Sequence, residues 1–185
     1  EEKEIPDYFL FDIQNDQIAE LKEVVEKSGL KLLQSSPMIR AKMLSINEED
    51  YEVSMEETRF ETREEEEEAR SRNRGLNLSY RAHLERGEYL TEGLPLEPDY
   101  VQGQPLQLSI EEDYAKRVDI EVGDRLQMDV QGLKVDGIVR NLRRVSWTTF
   151  LPNFFVIAQP GFLEMAPKTW LAGLSRGSKE QTTEA

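Results

Sequence analysis

His83, in the stretch YRAHLERG, is the chain's one histidine, and there is no cysteine. A general base needs a nucleophile within reach and a third group to orient it. No Ser, Asp and His constellation can be argued from the spacing around His83, so it reads as structural or solvent-facing. One histidine cannot build a multi-histidine metal site. The missing cysteines exclude a thiolate zinc site, a cysteine nucleophile and a disulfide scaffold. The 37 Asp and Glu residues must produce some close carboxylate pairs by chance, which is weak ground for glycosidase chemistry without a pocket. The densest acidic run, Glu64 to Glu68, is straight. A hard cation needs oxygen ligands that converge from a turn, and consecutive glutamates on a helix splay apart, so the run reads as a solvated face. There is no P-loop, no GxGxxG and no GxSxG. A Ser–Lys dyad cannot be argued without geometry. The search for catalytic chemistry is mostly negative and points to binding, coupling or structure.

What remains is aromatic. SWTTFLPNFFVIAQPGFLE, from Ser146 to Glu164, concentrates aromatic side chains in a polar chain of net charge −14. Counting by twos from Asn153 puts Phe154, Val156 and Ala158 on one face and Phe155 and Ile157 on the other. Both faces are apolar, which predicts a central strand buried on both sides. Trp147, Phe150 and Leu151 precede Pro152, in a loop, and are the candidates for contact with cargo or a partner. The negative charge would repel a phosphate backbone, so no nucleic-acid partner is expected.

The elements that must position these residues are partly legible. DYFLFDI, from Asp7 to Ile13, is an almost continuous apolar run and predicts a strand buried on both faces. A helix should follow, with Ile18, Leu21, Val24 and Val25 on one face, Asn15 or Asp16 as N-cap and Gly29 past its end. MIRAKMLSI, from Met38 to Ile46, alternates, with Ile39, Ala41 and Met43 on one side. GLNLSYRAHLERGEYLTEGLPLEPDY, from Gly75 to Tyr100, reads as loops and short strands of a small inserted subdomain. Ser109 and Glu112 fit a capping box that opens a helix to about Lys116. VGDR turns at Gly123, RLQMDV sends Leu126, Met128 and Val130 inward, and Gln131–Gly132 is a hairpin signal. Gly137 marks a close approach in the return strand, and KTWLAGL predicts a last strand. The fold class expected is α+β.

The order of these motifs resembles the extracytoplasmic domain of FtsX/MacB-type ABC transporter permeases. DYFLFDIQNDQIAELKEVVEKSG looks like the segment after their first transmembrane helix. RNRGLNLSYRAHLERGEYLTEG resembles an Asn-Leu-Ser/Thr-Tyr element. The block from LSIEEDYAKR through VGD to RRVSW resembles their terminal helix and hairpin. Gly123 and Asp124 match the Val-Gly-Asp turn of that family block, and Pro152, Asn153, Phe154 and Phe155 match a Pro-Asn-Phe-Phe strand of its predicted lysophospholipase-associated branch. The resemblance runs from Asp7 to Leu174 and departs from the family at Glu48 to Arg74, with its Glu-rich insertion.

The resemblance implies a discontinuous porter-like α/β layer from residues 1–47 and 106–175, with an inserted, more β-rich sabre-like subdomain at 48–105 and a polar tail at 176–185. It also implies a periplasmic domain of an inner-membrane protein, and no chemistry or cofactor of its own. ATP would bind a separate cytoplasmic ATPase subunit, the cargo would be a lipid or hydrophobic compound, and a periplasmic esterase would be a partner. The chain opens at Glu1 and closes in a polar stretch, and no window approaches the ~18 consecutive apolar residues of a membrane span. It reads as an excised piece or a processed product, and the resemblance implies membrane segments before and after it. A scaffold that recruits an enzyme or a second permease is the alternative, and a free-standing hydrolase is a third.

Overall fold

The cleanest alternation in the sequence folds as its pattern requires. Strand β7 (Arg125–Val130) buries Leu126, Met128 and Val130, and β8 (Leu133–Val145) returns antiparallel to it. Gln131 and Gly132 turn the chain with φ of 56° and 91°, the left-handed pair whose twist matches that of the flanking strands. Asp129 accepts a hydrogen bond from the Gly132 N–H at 2.8 Å. A Cβ on Gly132 would meet nothing within 4 Å, so Gly132→Ala should cost only the left-handed backbone penalty, about 1 kcal/mol, read as a lower urea midpoint with unchanged slope.

The structure, a computed structural model, describes residues 6–51, 59, 61–65, 73, 75–146 and 154–176. They fall into two compact units. The larger takes the described residues of 38–146 and 154–167, and the smaller takes 6–37 and 168–176.

The larger unit is built on a closed ring of strands. Strand β2 (Leu30–Ile46) runs on into this unit, where it pairs antiparallel on both sides. Ile39 faces Leu78 of β4 (Leu76–Tyr80), and Met43 faces Met128 of β7. Strand β4 lies parallel to β9 (Val156–Ala158), and β9 lies antiparallel to β6 (Leu106–Glu111). Strand β6 lies parallel to β8, and the β7–β8 hairpin completes the circuit. Six strands, β2-β4-β9-β6-β8-β7, thus form a barrel. Closure removes the unpaired edges that an open sheet would present. Ile39, Met43, Leu78, Leu108, Leu126 and Met128 are buried in one core cluster, so the barrel is packed rather than hollow. Two short strands lie outside the ring: β3 (Glu49–Asp50) on β2, and β5 (Glu88–Gly93) on the far end of β8. The close approach expected at Gly137 is present, for a Cβ there would lie 2.5 Å from Leu108 Cδ1.

Helix α2 (Glu112–Val118) follows β6 directly. Its N-cap is Glu111, whose carboxylate accepts from the Tyr114 N–H at 2.7 Å. The Ser109–Glu112 capping box is therefore wrong. Ser109 is held extended in β6, paired with both β8 and β9, and the ladder postpones the helix by two residues.

In the smaller unit, β1 (Tyr8–Gln14) pairs antiparallel with β10 (Thr169–Arg176), and β10 lies between β1 and β2. Tyr8 faces Leu174 and Gln14 faces Thr169, so the first and last described residues lie side by side. The Asp7 N–H donates to the Leu174 carbonyl at 2.8 Å, and the Arg176 N–H to the Asp7 carboxylate at 2.7 Å. The expectation that β1 is buried on both faces fails. Tyr8, Phe9 and Phe11 are 40%, 38% and 67% exposed, because β1 is an edge strand that pairs, among the described residues, with β10 alone. Helix α1 (Ile18–Lys27) buries Val25, leaves Val24 exposed, and is followed by Gly29 at φ 73°. Its N-cap position is Gln17, not Asn15 or Asp16. The Asn15 side-chain oxygen instead accepts from Trp170 Nε1 at 3.1 Å. No described helix is long and apolar enough to cross a membrane.

Candidate functional site

The loop candidates Trp147, Phe150 and Leu151 lie outside the described residues, as do Pro152 and Asn153. The flanks of that loop are described, and both are fixed in the larger unit. On the incoming side the Ser146 N–H donates to the Gly87 carbonyl at 2.8 Å. On the outgoing side Phe154 is buried, and β9 begins at Val156, central between β4 and β6 as the sequence implied. Phe155 departs from the expectation. It precedes the strand and is 39% exposed, stacked on Tyr114 of α2 with ring centres 5.0 Å apart. The Arg117 guanidinium sits 5.4 Å and 5.5 Å from the two ring centres, a cation–π arrangement. Burial raises the Tyr114 hydroxyl pKa, with a further push from Tyr51.

Beneath Phe154 lies a buried ionic node. Arg143 has no exposed side-chain surface, and Glu88 has 1%. The Arg143 guanidinium donates to the carbonyls of Phe154, Ser109 (3.0 Å) and Phe155 (3.4 Å) and to the Glu88 carboxylate at 3.4 Å. Glu88 accepts from Arg81 at 2.7 Å and 2.8 Å and from the Glu85 N–H at 2.9 Å. The node therefore ties β5, β6, β8, the loop after β4 and the entry to β9. The Arg143 pKa is lowered to about 10, by burial first and by Arg81, with Glu88 pulling the other way. Arg143 stays charged at neutral pH. A charge out of water must be paired and fully hydrogen-bonded, and three carbonyls and a carboxylate do that here.

Sequence reasoning missed this node, although a signal exists. Counting by twos along β8 from Val135 through Gly137 and Val139, all buried, reaches Asn141, Arg143 and Val145, also buried. Two adjacent arginines in a strand must point to opposite faces. Arg144 is the outward one, 2.7 Å from Glu112.

The other sequence candidates sit in a turn or at the surface. Gly123 has φ 98°, and its N–H donates to the Val139 carbonyl at 2.9 Å. Asp124 accepts from the Glu121 N–H at 2.7 Å and from Asn47 Nδ2 at 2.8 Å, and Asn47 accepts from the Arg125 N–H at 2.9 Å. The turn is thereby stapled to the end of β2. His83 is exposed, with Nε2 3.4 Å from Glu85, as its solvent-facing reading required. Of the acidic run, Glu64 and Glu65 are described and exposed, while Glu66 to Glu68 lie outside the described residues. The site is thus a fixed internal tie beneath an aromatic rim, with its charges already spent on one another.

The chain is similar to an ABC transporter permease. That relative is the uncharacterized permease YbbP of Escherichia coli (strain K12), 28% identical over 169 residues, which are 91% of this chain and 18% of YbbP. The chain thus spans less than a fifth of the relative's length, and the likeness supports the ABC transporter permease family. No family model matches, and no solved structure matches significantly.

Proposed function

We propose that this chain is the periplasmic core domain of an FtsX/MacB-type ABC transporter permease of the lysophospholipase-associated branch. It couples ATP hydrolysis on a separate cytoplasmic subunit to movement or extraction of a lipid or hydrophobic compound at the outer face of the inner membrane. The observation that carries this reading is likeness to a permease over nearly the whole chain. The side-by-side ends of β1 and β10 support it, because a domain set between two membrane segments must return to where it left. On this reading the domain does no chemistry itself and holds no cofactor. Residues 1–47 and 106–175 make the porter-like part, and residues 48–105 the sabre-like part. Trp147, Phe150 and Leu151 meet cargo or partner, and a periplasmic esterase acts on what is delivered. The test is ATPase stimulation of the full complex by a panel of lipids and hydrophobic compounds. One class should stimulate, and Trp147→Ala with Phe150→Ala should remove that response. A panel in which no class stimulates would sink the reading.

A scaffold role has one observation in its favour. Phe9 and Phe11 stack 6.3 Å apart on the exposed β1, a surface suited to a protein partner. Partner capture that survives the Trp147 and Phe150 substitutions while transport is lost would favour coupling over recruitment.

A further inference from the structure

Among the described residues, β1 pairs with β10 on one side and with no strand on the other. The alternate N–H and C=O groups of an edge strand that point away from its neighbour have no ladder partner, and natural edges are blunted by a charge, a proline or a bulge. On β1 the bulge comes late. The register with β10 shifts between Leu10 and Ile13, and Asp12 has φ 57°. From Tyr8 to Phe11 the edge carries no charge and no proline. Phe9 and Phe11 share one face of the strand, stacked on each other and exposed. Phe9 lies opposite Gly173, which has no side chain to cover it. Four residues of aromatic and aliphatic edge are thus left open ahead of the bulge.

The surroundings of the edge define its occupant. Residues 1–20 hold seven carboxylates and one lysine, and Asp12, Asp16 and Glu20 are exposed. The Arg176 guanidinium is held by the Tyr8 hydroxyl and lies over the Tyr8 ring. A second copy of β1 would bring these carboxylates against their like. A lipid surface would leave the strand's N–H and C=O groups without partners, because hydrocarbon supplies none. An extended basic segment of another protein meets both demands. We propose that β1 takes an added strand from a protein partner, a segment with apolar side chains beside Phe9 and Phe11 and with Lys or Arg at its flanks, near Asp12. Main-chain bonds then give the affinity, and the side chains give the selectivity. The inference gives the recruitment reading a definite partner chemistry. It concerns the smaller unit alone and is independent of the transport reading, which ATPase stimulation tests separately.

The test is a two-dimensional amide NMR titration of the 185-residue chain with the blocked peptide acetyl-KTVTVTK-amide. The amides of Tyr8 to Phe11 should shift, and the basic peptide should bind about tenfold more tightly than acetyl-ETVTVTE-amide, the scale of two surface charge contacts reversed. N-methylation of alternate residues along one edge of the basic peptide should weaken binding about tenfold, the scale of two lost hydrogen bonds. The same change along its other edge should leave binding unchanged. Phe11→Lys, which places a charge on the edge, should remove the response, with the spectrum itself reporting that the fold is kept. The proposal is overturned if the peptide moves no β1 amide, if the two methylated peptides bind alike, or if the acidic peptide binds as tightly as the basic one. It is equally overturned if dilution without peptide shifts the β1 amides, which marks a second copy on the edge, or if phosphatidylcholine vesicles shift them, which marks a lipid surface.

Discussion

Arg143→Met is expected to destabilise the larger unit by about 3–5 kcal/mol, the range for removing one partner of a buried ion pair. The methionine fills much of the same volume, so cavity formation is a minor part of the loss. The cost lies in what is left behind. Glu88 keeps Arg81 but loses its second cation, and the carbonyls of Phe154, Ser109 and Phe155 lose a shared donor in a place water does not reach. A domain has only about 5–15 kcal/mol in total, so the variant should sit near its folding threshold. The entry to β9 should open first, because the Phe154 carbonyl loses this guanidinium, while the Phe155 carbonyl keeps only the Glu111 N–H at 2.8 Å. Urea denaturation followed by circular dichroism gives the magnitude, and hydrogen exchange at Val156 to Ala158 gives the place. Adding Glu88→Gln should recover part of the loss, since the buried charge then disappears while an acceptor for Arg81 remains. A loss below about 1 kcal/mol, the value of an exposed pair, would show that water reaches the node and that it is not the internal tie described above.

Gly93→Ala should cost about 3 kcal/mol or more, from left-handed strain and overpacking together. Gly93 ends β5 at φ 83° and faces Asn141 of β8. A Cβ there would lie 2.3 Å from the Arg140 carbonyl oxygen and 2.8 Å from the Asn141 Cα. Both are backbone atoms, and β8 cannot move aside because it is paired with β5, β6 and β7. Gly132 has the same left-handed backbone but open space around it. The two alanine variants, compared by denaturation midpoint, separate backbone preference from close contact. Equal losses would remove the case for a tight approach of β5 to β8.

The parts of this fold that were legible in the sequence are the parts governed by neighbours along the chain. Alternation fixed the inward face of β7, Gln131–Gly132 marked the turn, and the smallest residue of β8 marked where Leu108 presses close. Barrel closure was not legible, because it depends on Ala41 having Leu76 on one side and Val130 on the other, two pairings with distant segments. The burial of β1 was misjudged for a related reason. A run of aromatic and β-branched residues looks alike on a central strand and on an edge strand with one described neighbour. The capping box failed because long-range ladder bonds held Ser109 extended against a local helix signal. At the candidate site, Phe154 and the Gly123–Asp124 turn could be named from the sequence. Arg143 could not be named by composition, since arginine is almost never fully buried without partners, and those partners are 34 and 55 residues back and 11 and 12 residues ahead along the chain.

The pairing of β1 with β10 has a mechanical consequence. Its rungs run from Tyr8–Leu174 to Gln14–Thr169, and its hydrogen bonds lie across the strands. A force that draws the two chain ends apart meets these rungs one at a time, beginning at Asp7, so they resist in series rather than together. A displacement that carries both ends in the same direction loads none of them. The smaller unit is therefore stiff to shared motion and compliant to separation, much as a zip holds when both sides are pulled along together and yields when they are parted from one end.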